Sequence, residues 1–258
     1  TSHIDPDADN VGSCLALRHG LQALGKNAQV YLADKVPSVV QFLPGSGEII
    51  ILGRGSRNMP VSASEGEVLV VLDCEPERTG GIIPEIPVTM VNIDHHRSNR
   101  TAGALIRVVP DAAATGELVA ELLDALGVQL TREIATCLLA AIVGDTGSFA
   151  YSNTAPYTHR LAARLLEAGA NTELVHQQLF ETYSWGYAKL LCKILERLER
   201  SDDGRIAWIS VPLELSEEID LANQDSESFI RYARIVDGVE VALFIREIQP
   251  GTTKVSFR

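Results

Sequence analysis

Aromatic residues make up only 5% of these 258 residues, and basic residues are outnumbered, with Lys plus Arg at 22 against Asp plus Glu at 34. That balance, a net charge of -12, speaks against a basic face for long duplex DNA or RNA, where binding rests on neutralising phosphates. It also speaks against an aromatic-lined channel for long single strands. No apolar run approaches the roughly 20 residues that span a bilayer, and the opening TSHIDPDAD is too polar for a signal peptide. Starting Met is missing as well, so the chain is expected to begin inside a longer protein. Cysteines are few and scattered: Cys14, Cys74, Cys137 and Cys192 form no CxxC pair, which fits reduced, mostly buried thiols in a cytoplasmic protein, with thiolate zinc as the minor alternative.

What is present is alternation. Residues 11–24 carry a helical stripe of Val11, Leu15, Leu17, Leu21 and Leu24, with Gly25 where a C-cap would fall. Residues 28–32, 67–72 and 88–93 read as strands; the last two are near-continuous apolar runs that end at Asp73 and Asp94, as expected of a parallel sheet buried on both faces. Helical patterns follow at 114–126, 132–143, 156–167 and 172–180. The predicted fold class is α/β, a doubly wound parallel sheet, with ligands expected beyond the carboxyl ends of the strands. Residues 184–200 continue helically and read as a connector, and the Ser201-Asp202-Asp203-Gly204 turn opens a second, smaller α/β domain with strands at 205–211, 239–248 and 254–257. The expected division is residues 1–183, a connecting helix over 184–202, and 203–258.

Four separate segments offer hard ligands: His3 to Asp9, Asp73, Asp94-His95-His96, and Asp145. Singly, each reads as a solvated turn, a helix cap or a structural histidine. Together they differ, because Asp7, Asp9, Asp73 and Asp145 gathered at one sheet edge would repel unless cations intervene. Two divalent ions would bring that cluster near neutrality. Carboxylate plus imidazole, without thiolate, favours Mn2+, Mg2+ or a similar ion over structural zinc.

HIDPDADNVGS, VLD, IDHHRSN and GDTGSF follow one another in an order and spacing that resemble the DHH phosphoesterase superfamily. PDAAATGELV, GVEVALFIREI and the terminal KVSFR resemble its oligoribonuclease/pAp-phosphatase and cyclic-dinucleotide phosphodiesterase branch, with a DHH-associated second domain. The resemblance implies that His3 and Asp7 hold one metal, that Asp9, His95 and Asp145 hold the other, and that Asp73 bridges them. It implies two divalent cations, Mn2+ first with Mg2+ or Co2+ as alternatives, and a metal-bridging hydroxide that attacks phosphorus. His96 would face the substrate phosphate and act with Asp73 in catalysis. Asp94 would orient its neighbours, while Asp5 is not expected to ligate. Gly12 and Ser13 would start the first helix. Asn99 and Arg78 are weaker substrate-binding candidates. From the second domain Arg258 matches a basic position and Arg234 is a looser candidate; Arg234 and Arg246 read equally well as surface charge. The departure is that no GGGH-type segment follows Arg258, so the substrate clamp lies beyond these residues or is missing.

The implied activity is hydrolysis of short oligoribonucleotides, pAp, or linear and cyclic dinucleotides to mononucleotides. The expected partners are short RNA or nucleotides, with no long duplex and no membrane; a homodimer is left open. Two other readings stand beside it. A RecJ-like single-strand exonuclease would want the basic, aromatic channel that the composition lacks. A non-catalytic nucleotide-binding module would show a lost ligand, and none of the six is replaced.

Overall fold

A computed structural model describes residues 1–55, 66–83, 89–100, 105–221 and 229–258, with the side chains of 220 and 221 excepted. It divides into two compact units, Thr1–Thr182 and Tyr183–Arg258.

In the first unit, β3 (Val68–Leu72), β4 (Thr89–Asp94) and β5 (Leu105–Val108) form a parallel sheet in that spatial order. Val88, expected to begin β4, lies outside the described residues. The free side of β3 takes the chain's own start: the Thr1 amine donates to Val70 O at 2.8 Å, and Leu72 N donates to Thr1 O at 2.9 Å. Alternate residues of β3 serve two apolar clusters. Val70 and Leu72 pack with the main core, while Leu69 and Val71 pack with Cys74, Met90 and Ile83. Burial on both faces explains why VLVVL is apolar at every position rather than alternating. A second parallel ladder, β1 (Tyr31–Leu32) with β2 (Ile50–Ile51), is shorter than the strand expected at 28–32.

The core is mostly helical: α1 (Ala8–Ala23), α2 (Thr115–Ala125), α3 (Arg132–Asp145) and α4 (Pro156–Glu167) pack around Leu15, Leu118, Leu138 and Ile142. Their contacts are close because glycines sit at the crossings. A Cβ on Gly12 would lie 2.5 Å from Cys137 O of α3, and one on Gly116 would lie 2.7 Å from the Ala141 methyl. α1 begins at Ala8, earlier than expected, because Asp7 caps it; Gly12 and Ser13 therefore lie inside the helix. It ends as foreseen, with Gly25 left-handed at φ +73°. α3 runs two residues past its expected end, so Asp145 is its last residue rather than a loop position. α5 (Thr172–His176) passes into a π-helical turn over Gln177–Glu181.

The second unit corrects the connecting helix. α6 (Trp185–Leu195) stops short of residue 200 and sinks Tyr187, Leu190 and Ile194 into this unit's own core. Leu198–Arg200 is a strand, β6, paired antiparallel with β7 (Ile206–Val211). A helix whose single apolar face needs cover finds it on the nearest sheet, and a three-residue strand is too short to break the helical pattern. α7 (Leu213–Leu221) and α8 (Ile230–Arg234) lead to β8 (Val241–Gln249), parallel to β7, and a hairpin returns as β9 (Thr252–Phe257). Arg246 is buried and gives its guanidinium to the hydroxyl and carbonyl of Ser216, so it is not surface charge. Among the described residues no helix is long and apolar enough to cross a membrane. Cys14, Cys74 and Cys137 are buried, Cys192 is exposed, and all four are free.

Candidate metal centre

Six side chains from four segments converge in the first unit. Asp73 follows the last residue of β3 and adopts φ +64°, a left-handed conformation that costs a non-glycine residue roughly 1–2 kcal/mol. Such strain persists where surrounding structure holds it, commonly at functional sites. Here it turns the carboxylate across the sheet edge. One oxygen stands 3.3 Å from His3 Nε2; the other stands 3.6 Å from His95 Nε2 and accepts from Thr115 Oγ1 at 2.9 Å. Asp7, whose carboxylate also caps α1, is 3.9 Å from His3 Nε2. Asp145, at the negative end of the α3 dipole, is 3.1 Å from His95 Nε2, and Asp9 is 3.8 Å from it. Two ligand-competent groups result, His3 with Asp7 and Asp73, and Asp9 with His95 and Asp145; Asp73 also stands with His95 and His96.

Asp9 is fully buried and held by α2. Its two oxygens accept from Thr115 N at 2.6 Å, Gly116 N at 2.9 Å and Ser13 Oγ at 2.9 Å. The positive end of that helix thus faces the carboxylate. Even so, desolvation and the charges of Asp73, Asp145 and Asp7 push the Asp9 pKa well above the usual carboxylate range. Burial alone would lower the pKa of His3, but the Asp73 hydrogen bond and the Asp7 charge more than offset it and raise it to about 9. His95 behaves alike: against its burial, Asp145 and Asp73 raise it to about 9.

Those shifts mark a site short of positive charge. The imidazole Nδ1 atoms make the same point through geometry. His3 Nδ1 lies 2.6 Å from Ile4 O and His95 Nδ1 lies 3.1 Å from Ala112 O. A carbonyl only accepts, so each Nδ1 carries a proton and each Nε2 of a neutral ring presents a lone pair to carboxylates. His95 Nε2 is buried with no hydrogen-bond partner. A lone pair facing three carboxylates is repulsive unless a proton or a cation lies between. Oxygen and imidazole nitrogen donors in this number suit hard to borderline divalent ions; the Cys74 thiol next to Asp73 is buried and pushed up to about 12, so it offers no thiolate.

Behind the ligands, Asp94 accepts from His95 N at 2.7 Å, His96 N at 3.0 Å and the His96 ring at 2.8 Å. Burial works against its charge, but these donors and Asn99 hold its pKa below the usual range. Asp94 in turn raises His96, whose side chain is 41% exposed and reachable from solvent. Asn99 is buried and gives its amide to Asn92 at 2.8 Å and Asp94 at 2.6 Å. It therefore supports Asp94, because a buried amide gives its donors to the nearest acceptors. Arg78 is exposed, and its carbonyl accepts from Ile4 N beside His3. Asp5, at φ +53°, joins Arg54 and Asp34 instead of the cluster. Arg234 and Arg258 are exposed in the second unit. Sequence reasoning missed Thr115, which touches two ligands at once, although TGE at a helix start was the available signal.

Residues 1–142 match the DHH family, N-terminal domain. Across its whole length the chain is 37% identical to the Bifunctional oligoribonuclease and PAP phosphatase NrnA of Thermus thermophilus, of which it covers 74%. It is 33% identical over 174 residues, 66% of this chain, to the Cyclic-di-AMP phosphodiesterase GdpP of Geobacillus thermodenitrificans, of which it covers 25%. The whole chain superposes on the crystal structure of an exopolyphosphatase-related protein from Bacteroides fragilis with a TM-score of 0.87, at 26% identity and 77% coverage of that chain.

Proposed function

The chain belongs to the DHH family, and from that premise we propose that it is a metal-dependent phosphoesterase that hydrolyses short oligoribonucleotides, pAp, or linear and cyclic dinucleotides to mononucleotides. The observation that carries this reading is the convergence of His3, Asp7, Asp9, Asp73, His95 and Asp145, with His95 Nε2 left buried and unpartnered among carboxylates. His3 and Asp7 would hold one divalent ion, Asp9, His95 and Asp145 a second, and Asp73 would serve both. Mn2+ suits the mixed oxygen and nitrogen set best, with Mg2+ or Co2+ as substitutes. Bound in pairs, such ions supply Lewis acidity and make water a nucleophile at neutral pH.

The protein's own groups do the rest. Ile4 and Ala112 carbonyls hold the two imidazoles with Nε2 toward the cluster. The α2 terminus and Thr115 hold Asp9 and Asp73 in place before substrate arrives. His96, kept protonated more readily by Asp94, is suited to donate to a phosphate oxygen or to a leaving oxygen. Arg78, Arg234 and Arg258 would each be available as a substrate contact, being exposed. The net charge of -12 favours short substrates over long nucleic acid, and the four free thiols suit a reducing, cytoplasmic compartment.

The test is a comparison of kcat/KM with Mn2+ on a labelled RNA dimer, pentamer and 24-mer, on pAp, and on cyclic di-AMP. Short substrates should be preferred. A preference for the 24-mer would defeat the substrate reading, and no turnover of any of them would favour a nucleotide sensor.

A further inference from the structure

Immediately beyond Asp145 the backbone does something costly. Gly147, Ser148 and Phe149 take φ +54°, +60° and +65°, three left-handed residues in a row. Two of them bear a Cβ, so the turn is strained without help from outside. The help is visible. Ser148 N donates to Val143 O at 2.8 Å, Phe149 N to Thr146 Oγ1 at 3.0 Å, and Ala150 N and Tyr151 N both to Thr146 O at 2.9 Å. Phe149 points to the core and stacks on His159, with centroids 5.2 Å apart. Asn153 closes the segment by donating to Asp145 O at 3.1 Å and Ala113 O at 3.0 Å, which ties it to a cluster ligand and to the loop before α2.

What this turn presents is Tyr151. Its ring lies directly over Gly147: a Cβ there would stand 2.3 Å from Tyr151 Cζ and 2.6 Å from both Cε atoms. One face of the phenol is thus fixed against bare backbone. The residue is nevertheless 50% exposed, and among the described residues no other aromatic ring stacks on it. Tyr151 N bonds to the carbonyl of Thr146, the residue next to Asp145, so the platform stands beside the cluster. In a nucleotide the base lies one sugar away from its phosphate. A flat, half-exposed ring packed over Gly147, two residues past Asp145, offers a face on which any base could stack.

The geometry points to Tyr151 as the stacking face for the nucleobase of the nucleotide whose phosphate is cleaved. It would act as a specificity determinant for base-bearing over base-free phosphodiesters. The inference rests on the phosphoesterase reading of the cluster, and the experiment separates the two. The full chain with Mn2+ is mixed by stopped flow with a dinucleotide carrying 2-aminopurine, whose fluorescence falls when it stacks and is read before turnover, and kcat/KM is measured for pApA and for an analogue lacking one base. Wild-type protein should quench the probe. Tyr151→Ala should lose the quenching and lower the pApA-to-abasic ratio of kcat/KM about tenfold, whereas Tyr151→Trp should keep both. Quenching by Tyr151→Ala equal to wild type, or an equal fall on both substrates, overturns the inference. Wild-type protein that quenches through Tyr151 and hydrolyses neither substrate would defeat the phosphoesterase reading and leave the stacking assignment standing.

Discussion

Asp73 concentrates the conflict at the residue scale. It is buried, left-handed and within reach of both imidazoles, and its charge burdens Asp7 and Asp9. Asp73→Asn keeps the shape, and Asn tolerates the left-handed region. Activity should fall by about 10²–10³, the scale for losing a preorganised charge, while the melting temperature in chelator stays within about 3 °C of wild type. Near-normal turnover at full metal content would remove Asp73 from the centre. The imidazoles carry a second prediction. In the metal-free protein His3 and His95, raised to about 9, stabilise the fold below their ordinary 6.5, and that stabilisation is lost as pH climbs through about 9. At pH 7 both rings hold a proton that a metal must displace, so metal binding should release protons to the buffer. Calorimetry in two buffers of different ionisation enthalpy measures this; an enthalpy independent of buffer would contradict it.

Helix crossings decide where the ligands stand, and the glycines decide the crossings. Gly12 abuts the α3 backbone one turn along α1 from Asp9. A backbone carbonyl cannot rotate aside, so Gly12→Ala should cost roughly 1–3 kcal/mol and also weaken metal binding by moving Asp9. Gly25→Ala is the contrast. Its Cβ would meet nothing within 4 Å, and only the φ of +73° is strained, so about 1 kcal/mol is expected. Melting curves and metal titrations of the two variants make the comparison, and equal effects on metal affinity would sever α1 position from the site. At this scale the sequence was legible where a pattern had one cause. The apolar runs of β3 and β4, the α1 stripe and its Gly25 stop were all readable. The last turn of α3 was not, because Gly144-Asp145 looks like a loop until Thr146 N bonds to Ile142 O. Nor was β6, whose three residues carry no period of their own.

Two units with separate cores imply two responses to metal in the whole molecule. The cluster belongs entirely to the first unit. Saturating Mn2+ at a hundred times its dissociation constant should stabilise that unit by about 2.7 kcal/mol and leave the second unit's transition in place. Scanning calorimetry with and without chelator tests this, and a shift of both transitions by the same amount would show that the units melt as one.

Composition and motif spacing by themselves determined the α/β class and the candidate ligands, because ligand chemistry and apolar period are properties of residue type and order. Only the tertiary structure decided that Asn99 supports Asp94, that Thr115 braces two carboxylates, and that Tyr151 lies over Gly147. Each of those depends on which distant backbone groups come within hydrogen-bond or van der Waals range, and spacing along a chain does not encode that distance.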